Sequence, residues 1–263
     1  MSGRKRSAQQ GIQSIEVGGL LLQALAQARQ PQMLRDLAAV AGMAAAKAHR
    51  YLVSFARMGL VEQQAETGLY DLGAFALELG LSALGRLDPV TVAAPALSDL
   101  CRRTGQTAAL AVWANQGATI VRWLGADTPV AASLRVGSVM PLTRSATGGA
   151  FLAFLPEEMT SRWVRKELAE NSRKGLSPST ARDLERFVAQ TRKQGYARTS
   201  EFIPGIGGVA APVFDHSGAM VLALIVLGYH KPFDAAASKI AAAVLEEARR
   251  LSRRLGCKPD DSR

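Results

Sequence analysis

Apolar positions recur at helical spacing three times in the first sixty residues. In GGLLLQALAQARQ, Leu21, Ala24, Leu25 and Ala28 mark one helix face until Pro31, whose ring and missing N–H end the run. Past that proline, Leu34, Leu37, Ala38 and Ala41 predict a short amphipathic helix closing at Gly42, a residue free to take left-handed backbone in a tight turn. A third helix begins almost at once. Its Ala48, Leu52 and Phe55 share one face, while Lys47, Arg50, Ser54 and Arg57 share another. The period then changes from helix to strand. GLVEQQAETGLYDLG predicts a strand, a polar turn at Glu66, Thr67 and Gly68, and a returning strand through Tyr70 and Leu72.

GAFALELGLSALGRL (residues 73–87) predicts a linker helix stopped by Asp88 and Pro89, with Ala74, Leu77, Leu81 and Leu84 as an apolar face open to a second copy of the chain. VAAPALSDLCRRTG is helical up to Gly105, and QTAALAVWANQGATIVRWLG reads as a hairpin about Asn115, Gln116 and Gly117. Helical patterns follow at Thr147–Phe154, Glu157–Glu170 and Ser179–Gln194, then strands at Gly208–Phe214 and Met220–Leu227 around a turn at residues 215–218. A single long helix is expected over Asp234–Leu255. Hairpins with helices packed around an antiparallel sheet make an α+β module. The expected organisation is a disordered basic arm (1–10), a winged helix-turn-helix (11–73), a linker helix (74–88), an α+β domain (89–257) and a disordered tail (258–263).

Length agrees with two domains, since 263 residues suffice for two separate cores. The net charge of +10 suggests a polyanionic partner, but it is unevenly spread: residues 1–88 hold nine Lys/Arg and seven Asp/Glu, leaving +8 of the excess in the remainder. The local signal is sharper. Residues 44–58 carry Lys47, Arg50 and Arg57 with no acid, and Arg4, Lys5 and Arg6 form a small basic arm. No apolar run reaches the roughly 18–20 residues a bilayer requires, and no apolar signal core follows the basic start, so the expected location is the cytoplasm with no membrane partner. Cys101 and Cys257 have no companions at ligand or disulfide spacing.

Two helices joined by a glycine turn, the second with a basic stripe and followed by a hairpin, form the helix-turn-helix arrangement with a wing. A slim leading end suits a major groove about 12 Å wide, and Ala44, Ala45 and Ala46 supply one. The candidate DNA contacts are these three with Lys47, His49, Arg50, Ser54, Arg57 and the wing's Thr67. Taken alone, the third helix reads equally as an alanine-rich core helix with a solvated edge. For chemistry, there is no GxSxG, HExxH, P-loop or complete GxGxxG, and His49, His216 and His230 are scattered, so neither an active site nor a cofactor is expected. TRSATGGAF (143–151) places hydroxyls and glycines at a helix start, which serves either as an anion cradle or as a plain capped terminus.

At these motifs the chain resembles the IclR family of bacterial transcriptional regulators. The matching residues are Gly42-Met43, His49-Arg50-Tyr51-Leu52, Gly59-Leu60-Val61 and Thr67-Gly68-Leu69-Tyr70-Asp71-Leu72-Gly73, followed by LRVGSVMPLTRSATGGAFLAFL and GIGGVAAPVFDHSGAMVLALIVLG. It departs from the family's usual hydroxyls at Ala46 and Lys47, and from a frequent helix-one arginine at Gly18-Gly19. The resemblance implies a double-stranded DNA operator, a homodimer or homotetramer, and a GAF-like antiparallel-sheet domain that binds a small-molecule effector. It further implies an effector wall of Met140, Ala146, Thr147 and Gly148 facing Ile206, Gly208, Ile225 and Leu227. The apolar Ile225 and Leu227, where some members carry serines, favour a less polar ligand. The expected ligand is a small organic acid held on the N–H groups of residues 146–148, with Trp113 and Trp123 as outer neighbours and Arg198 as either a second anchor or a solvated residue. The competing reading is a metabolite-binding or enzymatic module whose winged helix mediates protein contacts.

Overall fold

The computed structural model describes residues 11–28, 30–126, 134–177 and 180–258. Residues 1–10 with the expected basic arm, Ser179 at the expected start of a helix, and residues 259–263 of the expected tail lie outside the described residues. The chain divides into two compact units between Leu87 and Asp88.

The first unit contains α1 (Gln13–Gln27), α2 (Leu34–Val40), α3 (Ala45–Arg57), the antiparallel pair β1 (Val61–Gln63) and β2 (Tyr70–Leu72), and α4 (Ala74–Gly85). Leu21, Ala24, Leu25, Leu37, Ala38, Ala48 and Leu52 meet Val61 and Tyr70 in one core, with Ala41 and Phe55 partly buried at its edge. Ala28 falls just past the last turn of α1 as its C-cap. Gly42 takes φ 64°, and the N–H of Met43 bonds the Ala38 carbonyl at 2.9 Å, closing α2 with a glycine terminator. Gly18 has a packing reason: a Cβ there would stand 2.9 Å from Tyr51 and 3.0 Å from Phe55, so the glycine lets two aromatic rings of α3 lie on α1. Gln32 exchanges both backbone hydrogen bonds with Tyr70, at 2.9 and 2.8 Å, fixing the wing to the α1–α2 connection.

The expected apolar face of α4 is left open within this unit, and further apolar positions are exposed beside it. None of its residues is buried, and Leu77 (65% exposed) and Leu81 (59%) are joined by exposed Phe75 and Leu79 on other sides of the helix. Leu, Phe and Ala occupy nearly every turn, so helical spacing alone cannot single out one stripe.

The second unit opens with α5 (Pro89–Thr104), whose Asp88 N-cap accepts from Val90 N–H at 3.1 Å, and continues as β3 (Thr107–Ala114) and β4 (Gly117–Leu124). After α6 (Ala146–Phe154), α7 (Glu157–Lys174) and α8 (Ala181–Gln194) come β5 (Ala197–Ile203), β6 (Ile206–Phe214) and β7 (Met220–Tyr229), then α9 (His230–Ala235) and α10 (Ala237–Arg254). The five strands form one antiparallel sheet in the order β4-β3-β7-β6-β5. Helices α5 and α10 cover one face and α6 the other. This is the α+β architecture expected. Two elements differ from expectation: β5 is an additional edge strand whose polar ARTSEFI sequence lacks a strand pattern, and the terminal helix is broken at Ala236 (φ −105°, ψ 4°) into α9 and α10.

Candidate functional site

On α3 the buried Ala48 and Leu52 fix the helix against its unit and turn Ala44, Ala45, Ala46, Lys47, His49, Arg50, Ser54 and Arg57 outward, all exposed. Lys47, Arg50, Tyr51 and Ser54 border a shallow cleft of about 350 Å³, and the Ser54 hydroxyl donates to the Arg50 carbonyl at 3.1 Å. Among the described residues, Lys47, Arg50 and Arg57 make no salt bridge, whereas Arg35 already pairs with Asp36. Ala44 takes extended backbone and offers no side-chain cap, so the first-turn N–H groups have no side-chain acceptor, with Lys47 in the same turn. In the wing, exposed Thr67 donates to Gln64 Oε1 at 2.7 Å and accepts from Leu69 N–H at 3.3 Å, while Gly68 (φ 70°) makes the turn.

The second constellation is built around the segment that leads into α6. Met140 is held to β4 by its N–H on the Ala118 carbonyl at 2.7 Å, and it is buried. Glu167 of α7 then grips the chain: its carboxylate accepts from Leu142 N–H, Thr143 N–H and Thr143 Oγ1, each at 2.9 Å. Buried Asn171, one turn further along α7, donates to Thr143 Oγ1 at 3.0 Å. Gly148 is required by this arrangement, since a Cβ would lie 2.2 Å from the Pro141 carbonyl oxygen and 2.3 Å from Leu142 Cα. Ala146, Thr147 and Gly148 are all buried.

Met140, Ala146, Ile225 and Leu227 share a core cluster with Ala210 and Ala223, with Trp113 and Trp123 partly buried at its border. Gly208 pairs with Leu227 across the sheet, and a Cβ on it would lie 3.7 Å from that of Ala146, so α6 and the β6–β7 wall touch at this glycine. Ile206 is buried two residues earlier on the same strand. The sequence-derived wall is thus brought together.

Two features bear on how an anion could be held here. Two of the N–H groups at the start of α6 are engaged within the chain: Ala146 N–H donates to Thr199 Oγ1 at 3.1 Å, and Gly148 N–H to the Ser145 cap at 2.9 Å. Arg198 pairs with Val209, so strand alternation sends it to the opposite side of the sheet from Ala197 and Thr199, where it meets Asp234 at 2.5 Å. Glu167, Asn171, Thr143 and Thr199 were not singled out from sequence. Glu167 looked like one more charge on an amphipathic helix, and Thr199 lies in the strand that the pattern did not predict.

Comparison with known proteins bears on both constellations. The IclR helix-turn-helix domain matches residues 14–65, and the bacterial transcriptional regulator IclR C-terminal domain matches residues 81–253. The glycerol operon regulatory protein of Streptomyces griseus is 33% identical over 252 residues, covering 93% of this chain and 97% of that protein. The transcriptional repressor IclR of Escherichia coli is 30% identical over 226 residues, covering 82% and 80%. The crystal structure of Pseudomonas aeruginosa HmgR superposes with a TM-score of 0.86 at 36% identity, covering 94% of this chain and all of that one (100%). With a helix-turn-helix unit that exposes a basic helix and a second unit that carries the effector-domain fold, the chain belongs to the IclR family of bacterial transcriptional regulators, DNA-binding proteins rather than enzymes.

Proposed function

We propose that α3 enters the major groove of an operator, with Arg50, Ser54 and Arg57 toward phosphates and Ala44, Ala45, Ala46, Lys47 and His49 near base edges, while Thr67 carries the wing to the adjoining backbone. The observation that carries this reading is the exposed, uncompensated basic face of α3 above its buried opposite face. Small alanines at the leading end let the helix approach closely, and their methyl groups suit thymine methyls. One such helix reads only a few base pairs, so specificity calls for two half-sites about 34 Å apart or a multiple of that, and hence a homodimer or homotetramer. The exposed apolar α4 is its proposed contact surface.

We further infer that the effector is a small organic acid bound against Met140, Ala146, Thr147, Gly148, Ile206, Gly208, Ile225 and Leu227. Apolar walls with a few placed polar groups are the usual makeup of such a site. The effector can change DNA affinity by no more than the difference in its own affinity for the two arrangements of the oligomer, with coupling typically about 1–3 kcal/mol.

The test is a gel-shift titration over a salt series, with the full chain and a duplex selected by it from random sequence. Arg50→Ala with Lys47→Ala should weaken binding about tenfold or more and flatten the salt slope by about one unit per lost phosphate contact. Unchanged affinity and slope would remove α3 from the interface and favour a winged helix that meets protein instead.

A further inference from the structure

Arg144 stands one residue before the Ser145 cap of α6 and is half-buried. The residues around it are committed: Thr143 to Glu167 and Asn171, Ser145 to Pro141 and Gly148, Ala146 to Thr199. Arg198 is committed to Asp234. Arg144 makes no ion pair and no side-chain hydrogen bond among the described residues. A guanidinium keeps its charge and offers five donors in a planar fork, so partial burial without a partner costs hydration that an incoming anion restores.

Two clefts border Arg144. One, of about 280 Å³, is lined by Thr143, Arg144, Asp183, Arg198, Thr199 and Ser200, with Ser177 and Phe187. The other, of about 370 Å³, lies toward α7, where Lys166 and Lys174 are offset by Glu167 and Glu170. The first is the better seat for a carboxylate. Its one acid, Asp183, already accepts from Thr180 at 2.7 Å and pairs with Arg186. It also adjoins the proposed effector wall, because Thr199 accepts from Ala146 N–H and stands opposite Gly208 in the sheet.

We propose that Arg144 is the carboxylate anchor of the effector site, binding the acid group in this cleft while the rest of the molecule lies along the Ala146 and Gly208 side. The proposal rests on the reading of that site as one for a small organic acid. It assigns to Arg144 the role that the engaged N–H groups of Ala146 and Gly148 do not fill, Arg198 of the same cleft being already paired with Asp234.

Calorimetric titration of the full chain with acetate, pyruvate, isobutyrate, benzoate and phenylacetate, each beside its neutral amide, tests it. At least one acid should bind and its amide should not. Arg144→Gln should weaken that acid by about tenfold to a hundredfold and bring it to the level of the amide. Arg144→Lys, which keeps the charge without the fork, should recover part of the loss. Arg35→Gln, in the other unit, is the unaffected control, and circular dichroism of each variant identifies one that fails to fold, in which case Arg144→Lys carries the comparison. If Arg144→Gln binds the acid as tightly as the parent, the anchor is overturned and the effector reading stands. If acid and amide bind alike, the anchor is overturned and the ligand is a neutral molecule. Binding of none of the five acids overturns both.

Discussion

Two helix starts show how one chain faces two kinds of partner. Helix α3 opens on Ala44, uncapped and exposed, with a basic stripe behind it. Helix α6 opens on Ser145, capped and closed over, with every residue from Ala146 to Ala153 buried. A macromolecule brings its own acceptors and needs only an accessible, charged surface, so open N–H groups beside cations cost little in water. A small ligand needs a wall that is shaped before it arrives, and the α6 terminus is accordingly held by Glu167, Ser145 and Thr199. On the proposed reading, exposed donors face DNA and satisfied donors line the effector site.

The comparison breaks most severely at glycine. Gly148→Ala forces a methyl into the Pro141 and Leu142 backbone and should cost about 3 kcal/mol, whereas Gly19→Ala, with nothing within 4 Å, should stabilise α1 by about 0.5–1 kcal/mol. Urea denaturation of each variant measures both. Glu167→Ala leaves two N–H groups and the Thr143 hydroxyl without their acceptor and should cost about 2 kcal/mol, with DNA affinity in the gel shift unchanged when no effector is present. An equal loss of DNA binding would show that the α6 approach and α3 are not independent.

The caps themselves give a smaller, opposed pair. Ser145→Ala should lower stability by about 1–2 kcal/mol, while Ala44→Ser adds a cap to α3 and should raise it by about 0.5–1 kcal/mol, both read as shifts in the urea midpoint. The smallest effect is expected at a third helix start. The Thr91 hydroxyl first, and the Val90 N–H after it, hold the Asp88 carboxyl below the ordinary carboxylate range. A depressed folded-state value gives stability that is present above the unfolded value and lost as pH falls through the folded one. Asp88→Asn should therefore be slightly less stable than the parent near pH 7, and the gap should close below about pH 4. Melting curves across that range check it, and a gap that widens in acid would reverse the assignment.

Much of the first unit was legible because its signals are local. Leu34, Leu37 and Ala38 with Gly42, and the alternation around Gly68, depend on neighbours within a few residues, and those elements formed where the pattern placed them. Strand β7 was legible for a different reason, since it is hydrophobic enough to be read alone, whereas placing Ile225 and Leu227 in an effector wall rested on the resemblance. Strand β5 was not, because an edge strand that carries Arg198, Thr199 and Ser200 exists only through its pairing with β6. The break at Ala236 was hidden inside an alanine run that favours helix on both sides.

By itself, then, the sequence determined the order of the elements apart from β5 and the break at Ala236, the family, and which helix presents a basic face, since period and residue type act over one or two turns. Tertiary structure decided which polar groups remain available. Thr143 meets Glu167 across 24 residues of chain and Ala146 meets Thr199 across 53, while Arg198 finds Asp234 and Arg144 finds no such partner among the described residues. Such pairings depend on where helices and strands come to rest against one another, and no spacing along the chain encodes that position.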